Sequence, residues 1–94
     1  MSEIVAKHVK DSDEQLDYGI EYTDLLAPGE TIAGSTWEAR PSGITIVATS
    51  FQTPFAVVYA ATGIRGVTYT LENRVTTNSS PPRILERSLQ ITIR

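Results

Sequence analysis

Side chains suited to acid–base, nucleophilic or metal chemistry are few in this sequence. His8 is the single histidine and there is no cysteine, so a disulfide and a zinc site built on histidine and cysteine are excluded. Ser79 and Ser80 stand beside two prolines and lack the pattern of a nucleophile elbow, so they are interpreted as turn residues. We therefore predict no catalytic residue, and we expect His8 to be solvated.

The carboxylates cluster at one place, near the N-terminus. The cluster consists of Asp11, Asp13, Glu14 and Asp17. A calcium loop needs oxygen ligands at fixed spacing around a glycine, and this segment has neither the spacing nor the glycine. No glycine-rich phosphate loop is present. We therefore predict no metal and no cofactor, and interpret the cluster as a solvated acidic loop.

Length and composition describe a small folded domain. The chain has 94 residues, of which 40% are hydrophobic and 20% are charged, and its net charge is −3. These values differ from those of disordered chains, and the acidic balance argues against a nucleic-acid partner. No apolar run approaches the roughly 20 residues that cross a bilayer, so no membrane partner is expected. The first 14 residues are too charged for a signal peptide, which predicts synthesis in the cytoplasm.

Strand patterns dominate the remainder of the chain. Alternating or continuous apolar runs occur over residues 16–23, 31–39, 44–51, 55–61, 67–76 and 88–94. The run Phe55–Ala61 is apolar at both parities, which predicts a strand covered on both faces. Ile32 and Trp37 are five residues apart and cannot share a face of a regular strand. Gly34 lies between them, and we predict a β-bulge there that resets the register.

Turn residues separate these runs. Pro28-Gly29 predicts a type II turn, and residues 41–43, 63–66 and 78–82 also separate strands. Six or seven short strands with such spacing predict an all-β fold, an immunoglobulin-like antiparallel β-sandwich of about seven strands. We assign residues 11–94 to this single domain and residues 1–10 to a flexible N-terminal arm. Tyr69, at the start of the penultimate strand, is either the tyrosine corner of such folds or a core aromatic.

Charge is distributed unevenly along the sequence. Residues 1–40 carry nine acids and three bases, and residues 41–94 carry two acids and five bases, which gives −6 and +3. If the fold keeps the halves apart, an acidic surface of one copy meets a basic surface of the next. If the strands interleave, the asymmetry disappears in space. Trp37 leaves a similar choice between core filling and stacking on a ligand.

Several segments resemble a family of small phage tail proteins, the fibre–tail adaptors. The similar segments are Leu16–Tyr22, Gly29–Ile32, Ser35–Trp37, the set Gly66, Tyr69 and Asn73, and Arg87–Ile91. Their order follows the family over residues 10–94. One difference lies in the loop of residues 78–82, where relatives often have a glycine before an arginine and this chain has Pro81 and Pro82 before Arg83.

This resemblance implies a non-enzymatic virion protein. The implied partners are other tail or portal-region proteins and tail fibres, with several copies around the tail axis, assembled in the host cytoplasm. We predict that the interface includes Asp11, Asp13, Glu14 and Arg83. The alternatives are a head–tail connector component and an immunoglobulin-like module that binds surface carbohydrate or protein.

Overall fold

The computed structural model describes residues 3–94, which form seven β-strands. The strands are β1 (Glu3–Lys10), β2 (Leu16–Glu21), β3 (Ile32–Arg40), β4 (Ile44–Gln52), β5 (Phe55–Thr62), β6 (Thr68–Thr77) and β7 (Ile84–Ile93). They form a four-stranded sheet in the order β1-β7-β6-β3 and a three-stranded sheet in the order β2-β5-β4. Within this part of the chain no helix is long and apolar enough to cross a membrane.

The strand order confirms the predicted immunoglobulin-like sandwich. The second, fourth and fifth strands form one sheet and the third, sixth and seventh form the other, as in immunoglobulin constant domains. Strand β1 joins the sheet of β7, and this pairing is the one parallel pairing among the strands of residues 3–94. The core lies between the sheets and contains fourteen buried hydrophobic residues.

Of the segment predicted to be a flexible arm, residues 3–10 form strand β1, and residues 1 and 2 lie outside the described residues. In the sequence, the adjacent apolar residues Ile4, Val5 and Ala6 interrupt the apolar–polar alternation that is typical of a strand. The structure gives the reason, because the pairing of β1 with β7 shifts register between Ile4 and Ala6. His8 was expected to be solvated, and the structure shows it partly buried. Its ring packs against the ring of Tyr18 on the opposite sheet, with 4.6 Å between the centroids.

The predicted bulge in β3 is confirmed. Ile32 pairs with Thr77 and Gly34 pairs with Thr76, so Ala33 is an extra residue in the strand. One inserted residue reverses the parity that follows it. Ile32 and Trp37 therefore both face the core, where they are 6% and 9% exposed.

Tyr69 forms the tyrosine corner that the sequence allowed. Its side chain is fully buried, and its hydroxyl oxygen accepts a hydrogen bond of 2.9 Å from the backbone N–H of Ile64. Gly43 makes room for this hydroxyl, because a Cβ at that position would lie 2.5 Å from the oxygen. The corner thus ties the β5–β6 loop to the loop between β3 and β4.

A buried hydrogen-bond network joins the two sheets. Tyr22, which directly follows β2, donates its hydroxyl proton to Asn73 Oδ1 on β6 at 2.8 Å. Asn73 Nδ2 donates to the hydroxyl of Ser35 and the carbonyl of Thr36 on β3, at 2.9 Å each. Arg87 lies over the Tyr22 ring and donates to the carbonyl of Glu21. Tyr22 and Asn73 lie in the segments that resemble the adaptor family, and both have structural roles here.

We expect Tyr69→Phe to lower the free energy of unfolding by about 1–2 kcal/mol, because it leaves the N–H of Ile64 without its acceptor. Tyr59→Phe is the matched control, since Tyr59 is 40% exposed, and it should change stability by less than about 0.5 kcal/mol. Urea denaturation of the three proteins measures both values. Equal stability of Tyr69→Phe and the wild type would contradict the role given to the corner.

Candidate docking surface

The residues predicted to form an interface lie at opposite ends of the sandwich. Asp11, Asp13 and Glu14 follow β1, whose last residue Lys10 pairs with Ile93 at the end of β7. Arg83 directly precedes β7. The ten residues of β7 therefore separate the two groups by roughly 30 Å. The structure does not bring these four residues into one site.

The acidic loop surrounds a buried lysine. Lys10 is 1% exposed, and its ammonium donates to the carbonyls of Asp11 at 2.7 Å and Thr62 at 2.6 Å. Burial lowers the pKa of Lys10, and the nearby carboxylates, of which Glu14 has the largest effect, oppose that shift. No group of histidine and acidic side chains within residues 3–94 is arranged to hold a metal ion.

Arg83 is engaged by its own chain. Its guanidinium forms a two-point ion pair with Glu30 and donates to the carbonyl of Leu25 at 2.7 Å. Arg83 and the backbone N–H of Ala27 together hold the pKa of Glu30 well below its usual range. The predicted type II turn at Pro28-Gly29 is confirmed, with Gly29 at φ 78° and a bond from Glu30 N–H to the Ala27 carbonyl. Arg83 thus fixes this turn against the β6–β7 loop.

The acidic and basic halves of the sequence interleave in space. Three ion pairs each join a base of the second half to an acid of the first: Arg83–Glu30, Arg87–Asp24 and Arg94–Asp11. The hydrogen bond from Arg87 is the main reason that the pKa of Asp24 is lowered. The asymmetry read along the sequence is therefore largely resolved within one copy.

The aromatic rings divide into a buried group and an exposed group. Trp37 is buried, which excludes it as a stacking platform, and Tyr18, Tyr22 and Tyr69 are also in the core. Phe51, Phe55 and Tyr59 are 42%, 46% and 40% exposed. All three exposed rings belong to β4 and β5, so the exposed aromatic area is concentrated in the three-stranded sheet.

The outer face of the three-stranded sheet is centred on an apolar row in β5. Ala56, Val58 and Ala60 point into the core and are fully buried. Phe55, Val57 and Tyr59 alternate with them and point outward, and none is buried. The sequence predicted that both faces of this strand are covered. Among residues 3–94, only the inner face is covered.

The middle of this row is open, and acidic side chains flank its two ends. On β2, Gly19 pairs with Val57, whereas the exposed Asp17 and Glu21 pair with Tyr59 and Phe55. On β4, Ser50 and Gln52 pair with Val57 and Phe55. We call this outer face, with Phe55, Val57 and Tyr59 at its centre, the β5 surface. Residues 41–64 include no charged side chain, which is the sequence signal that would have identified it. By contrast, the outer face of the other sheet carries Arg40, Glu72, Arg74 and Glu86 in ion pairs.

The lowered pKa of Glu30 predicts how the stability of the fold depends on pH. Because its pKa is lower in the folded chain than the ordinary 4.5, its ion pair stabilises fully above that pH and is lost progressively as the pH falls below it. We expect Glu30→Gln to be less stable than the wild type at about pH 7, and the difference to shrink towards about pH 3.

Glu38→Gln is the matched control, because Glu38 is 75% exposed and 3.6 Å from its partner Arg40, and such exposed pairs contribute little. Its stability difference from the wild type should be small at both pH values. Urea denaturation at each pH gives the comparison. A difference for Glu30→Gln that stays constant with pH would show that the ion pair with Arg83 does not stabilise the fold.

The chain was compared with known proteins at the level of family and of sequence. Among curated proteins none matches it. A protein-family model matches residues 10–92, and its description is podophage GP4 fiber-tail adaptor protein gp77. The match covers nearly the whole chain and agrees with the all-β sandwich and with the resemblance seen in the sequence. The chain therefore belongs to the podophage GP4 fiber-tail adaptor family.

Proposed function

We propose that this protein is a non-enzymatic structural component of the phage tail that bridges the tail to fibres or to neighbouring tail proteins. The family match supports the adaptor role. The proposed partners are other tail or portal-region proteins and tail fibres, with several copies placed around the tail axis. We also propose that the protein is assembled into the virion in the host cytoplasm.

The β5 surface is the observation that carries this proposal. It places two large rings and a valine in water along the central strand of a rigid sheet. Cores of protein interfaces are rich in aromatic residues and poor in charge, which matches the row of Phe55, Val57 and Tyr59. Asp17 and Glu21 of β2 lie beside its two ends, where a polar rim is expected. A ring that moves from this surface into an interface removes a large apolar area from water. Burial of Phe55 and Tyr59 is therefore the main driving force for the proposed association with tail partners.

The residues predicted earlier as interface lie around this surface. The acidic loop of Asp11, Asp13 and Glu14 leads directly into Leu16, which pairs with Ala60 beyond the Tyr59 end of the row. Arg83 holds the β2–β3 loop beyond the Phe55 end. We propose that the acidic loop forms part of the polar rim, where charges influence the rate and specificity of association more than its strength.

The competing proposal is that the protein is a carbohydrate-binding module, and the exposed rings of the β5 surface favour it. Phe55 and Tyr59 are exposed on one face, four residues apart and hence roughly 13 Å apart along the strand. A sugar chain can stack on such rings. Protein docking is favoured because Val57 stands between them and the neighbouring Gly19 leaves the middle of the row accessible to a broad partner.

We expect Tyr59→Lys to remove the protein from particles, because it places a charge in the centre of the proposed interface. The matched control is Thr68→Lys, which adds the same charge at an exposed position on the other sheet. Quantitative mass spectrometry of purified particles from phage carrying each variant gives the copy number, and circular dichroism of the purified variants checks folding.

Wild-type and Thr68→Lys protein should each be present in several copies per particle. Absence of the wild-type protein from particles, with folded protein free in the lysate, would overturn the adaptor proposal and favour the carbohydrate-binding module. Normal incorporation of Tyr59→Lys would show that docking occurs through another surface.

A further inference from the structure

We propose that two copies of this chain pair through the free edge of strand β4, which joins their three-stranded sheets into one six-stranded sheet. This pairing goes beyond the proposed function. It rests on that function in one respect, namely that one particle contains several copies of the chain.

Strand β4 has an unprotected edge. It pairs with β5 on one side and has no hydrogen-bonded neighbouring strand among residues 3–94 on the other. Proteins usually protect such edges with charged side chains or prolines, because the unpaired backbone N–H and C=O groups are a template for another strand. The nine residues of β4 include no charge and no proline.

The other edges of the described chain are protected in this way. Strand β1 carries Glu3, Lys7 and Lys10, β2 carries Asp17 and Glu21, and β3 carries Glu38 and Arg40. Among the four edge strands formed by residues 3–94, β4 alone lacks a charged side chain. This difference singles out one edge as suitable for pairing.

Side chains of β4 also lack cover. Phe51 pairs with the buried Ala56 and so lies on the core side of the sheet, yet it is 42% exposed. Thr49 pairs with the buried Val58 and is exposed as well. A strand added beside β4 would place its own side chains next to these two and remove them from water.

The symmetry of the contact identifies the occupant as a second copy. A two-fold contact places each patch against itself, so any charge on the patch meets its own like charge. Self-pairing of β2 would bring carboxylates together, whereas self-pairing of β4 brings no charges together. Strand addition is driven by main-chain hydrogen bonds, which a second copy of β4 supplies without any charge to repel it.

The register shift in β4 limits the paired segment. Val47 is an extra residue in the pairing with β5, and such bulges twist a strand. From Ala48 to Gln52 the pairing is regular, so this segment is the one available to a second copy. Ser50 is its middle residue, is exposed and points to the outer face with Val57. A two-fold axis through this segment places the two Ser50 residues close together.

The test is sedimentation of the purified full chain from about 1 μM to about 1 mM, with charge-swapped variants at the middle of the edge. We expect the wild type to dimerise. Ser50→Lys alone and Ser50→Glu alone should each weaken self-association by about tenfold or more, because like charges meet across the axis. An equimolar mixture of the two variants should associate again as a heterodimer.

Thr68→Lys and Thr68→Glu are the matched controls, since they add the same charges on the outer face of the other sheet and should dimerise as the wild type does. A wild type that stays monomeric throughout the range overturns the proposal. So does a dimer that persists in both Ser50 variants, or a mixture of them that stays monomeric. Because this test uses no phage particle, its result is separate from whether the chain is a tail component.

Discussion

The hydrogen bond between Tyr22 and Asn73 is the interaction on which the arrangement of the two sheets depends. It crosses the core from the end of β2 to the middle of β6, and both side chains are fully buried. Burial raises the pKa of Tyr22 to about 12, so the hydroxyl remains a donor at any physiological pH. A buried polar group without a partner costs about 1–3 kcal/mol, so the network opposes any packing that separates these groups. Asn73 extends the link to β3, and the network thereby fixes the position of one sheet against the other.

This fixed frame separates the ion-paired outer face of the four-stranded sheet from the uncharged strands β4 and β5 of the other sheet, beside which β2 carries Asp17 and Glu21. The outer face of the four-stranded sheet carries ion pairs such as Arg74–Glu86, and the loops at one end are tied by Arg83–Glu30 and Arg87–Asp24. The three-stranded sheet presents the β5 surface and the edge of β4, both within a run of residues that has no charge. Adaptor proteins need a rigid body and a surface that partners can bury. In the proposal, the rigid body comes from the network joining the two sheets, and the surface comes from β5.

Much of the fold follows from local patterns in the sequence. The alternation in residues 67–76 predicted β6, and the mismatch between Ile32 and Trp37 predicted the bulge in β3, because both signals depend on neighbours along the chain. The ion pair of Arg83 joins residues 53 positions apart, and the contact between His8 and Tyr18 joins two different sheets, so spacing along the sequence gave no sign of either. The continuous apolar run Phe55–Ala61 predicted a strand correctly but could not show that its outer face lacks cover. That absence became visible only when the other strands had been placed.

Burial of the β5 surface in the tail is the central claim, and hydroxyl-radical footprinting tests it most directly. The side chains of the purified chain are labelled in solution and in intact particles, and their reactivities are compared by mass spectrometry. The account predicts that Phe55 and Tyr59 lose reactivity in particles, while Arg40 and Thr68 on the outer face of the four-stranded sheet keep theirs. Phe55 and Tyr59 that react in particles as they do in the free chain would contradict it.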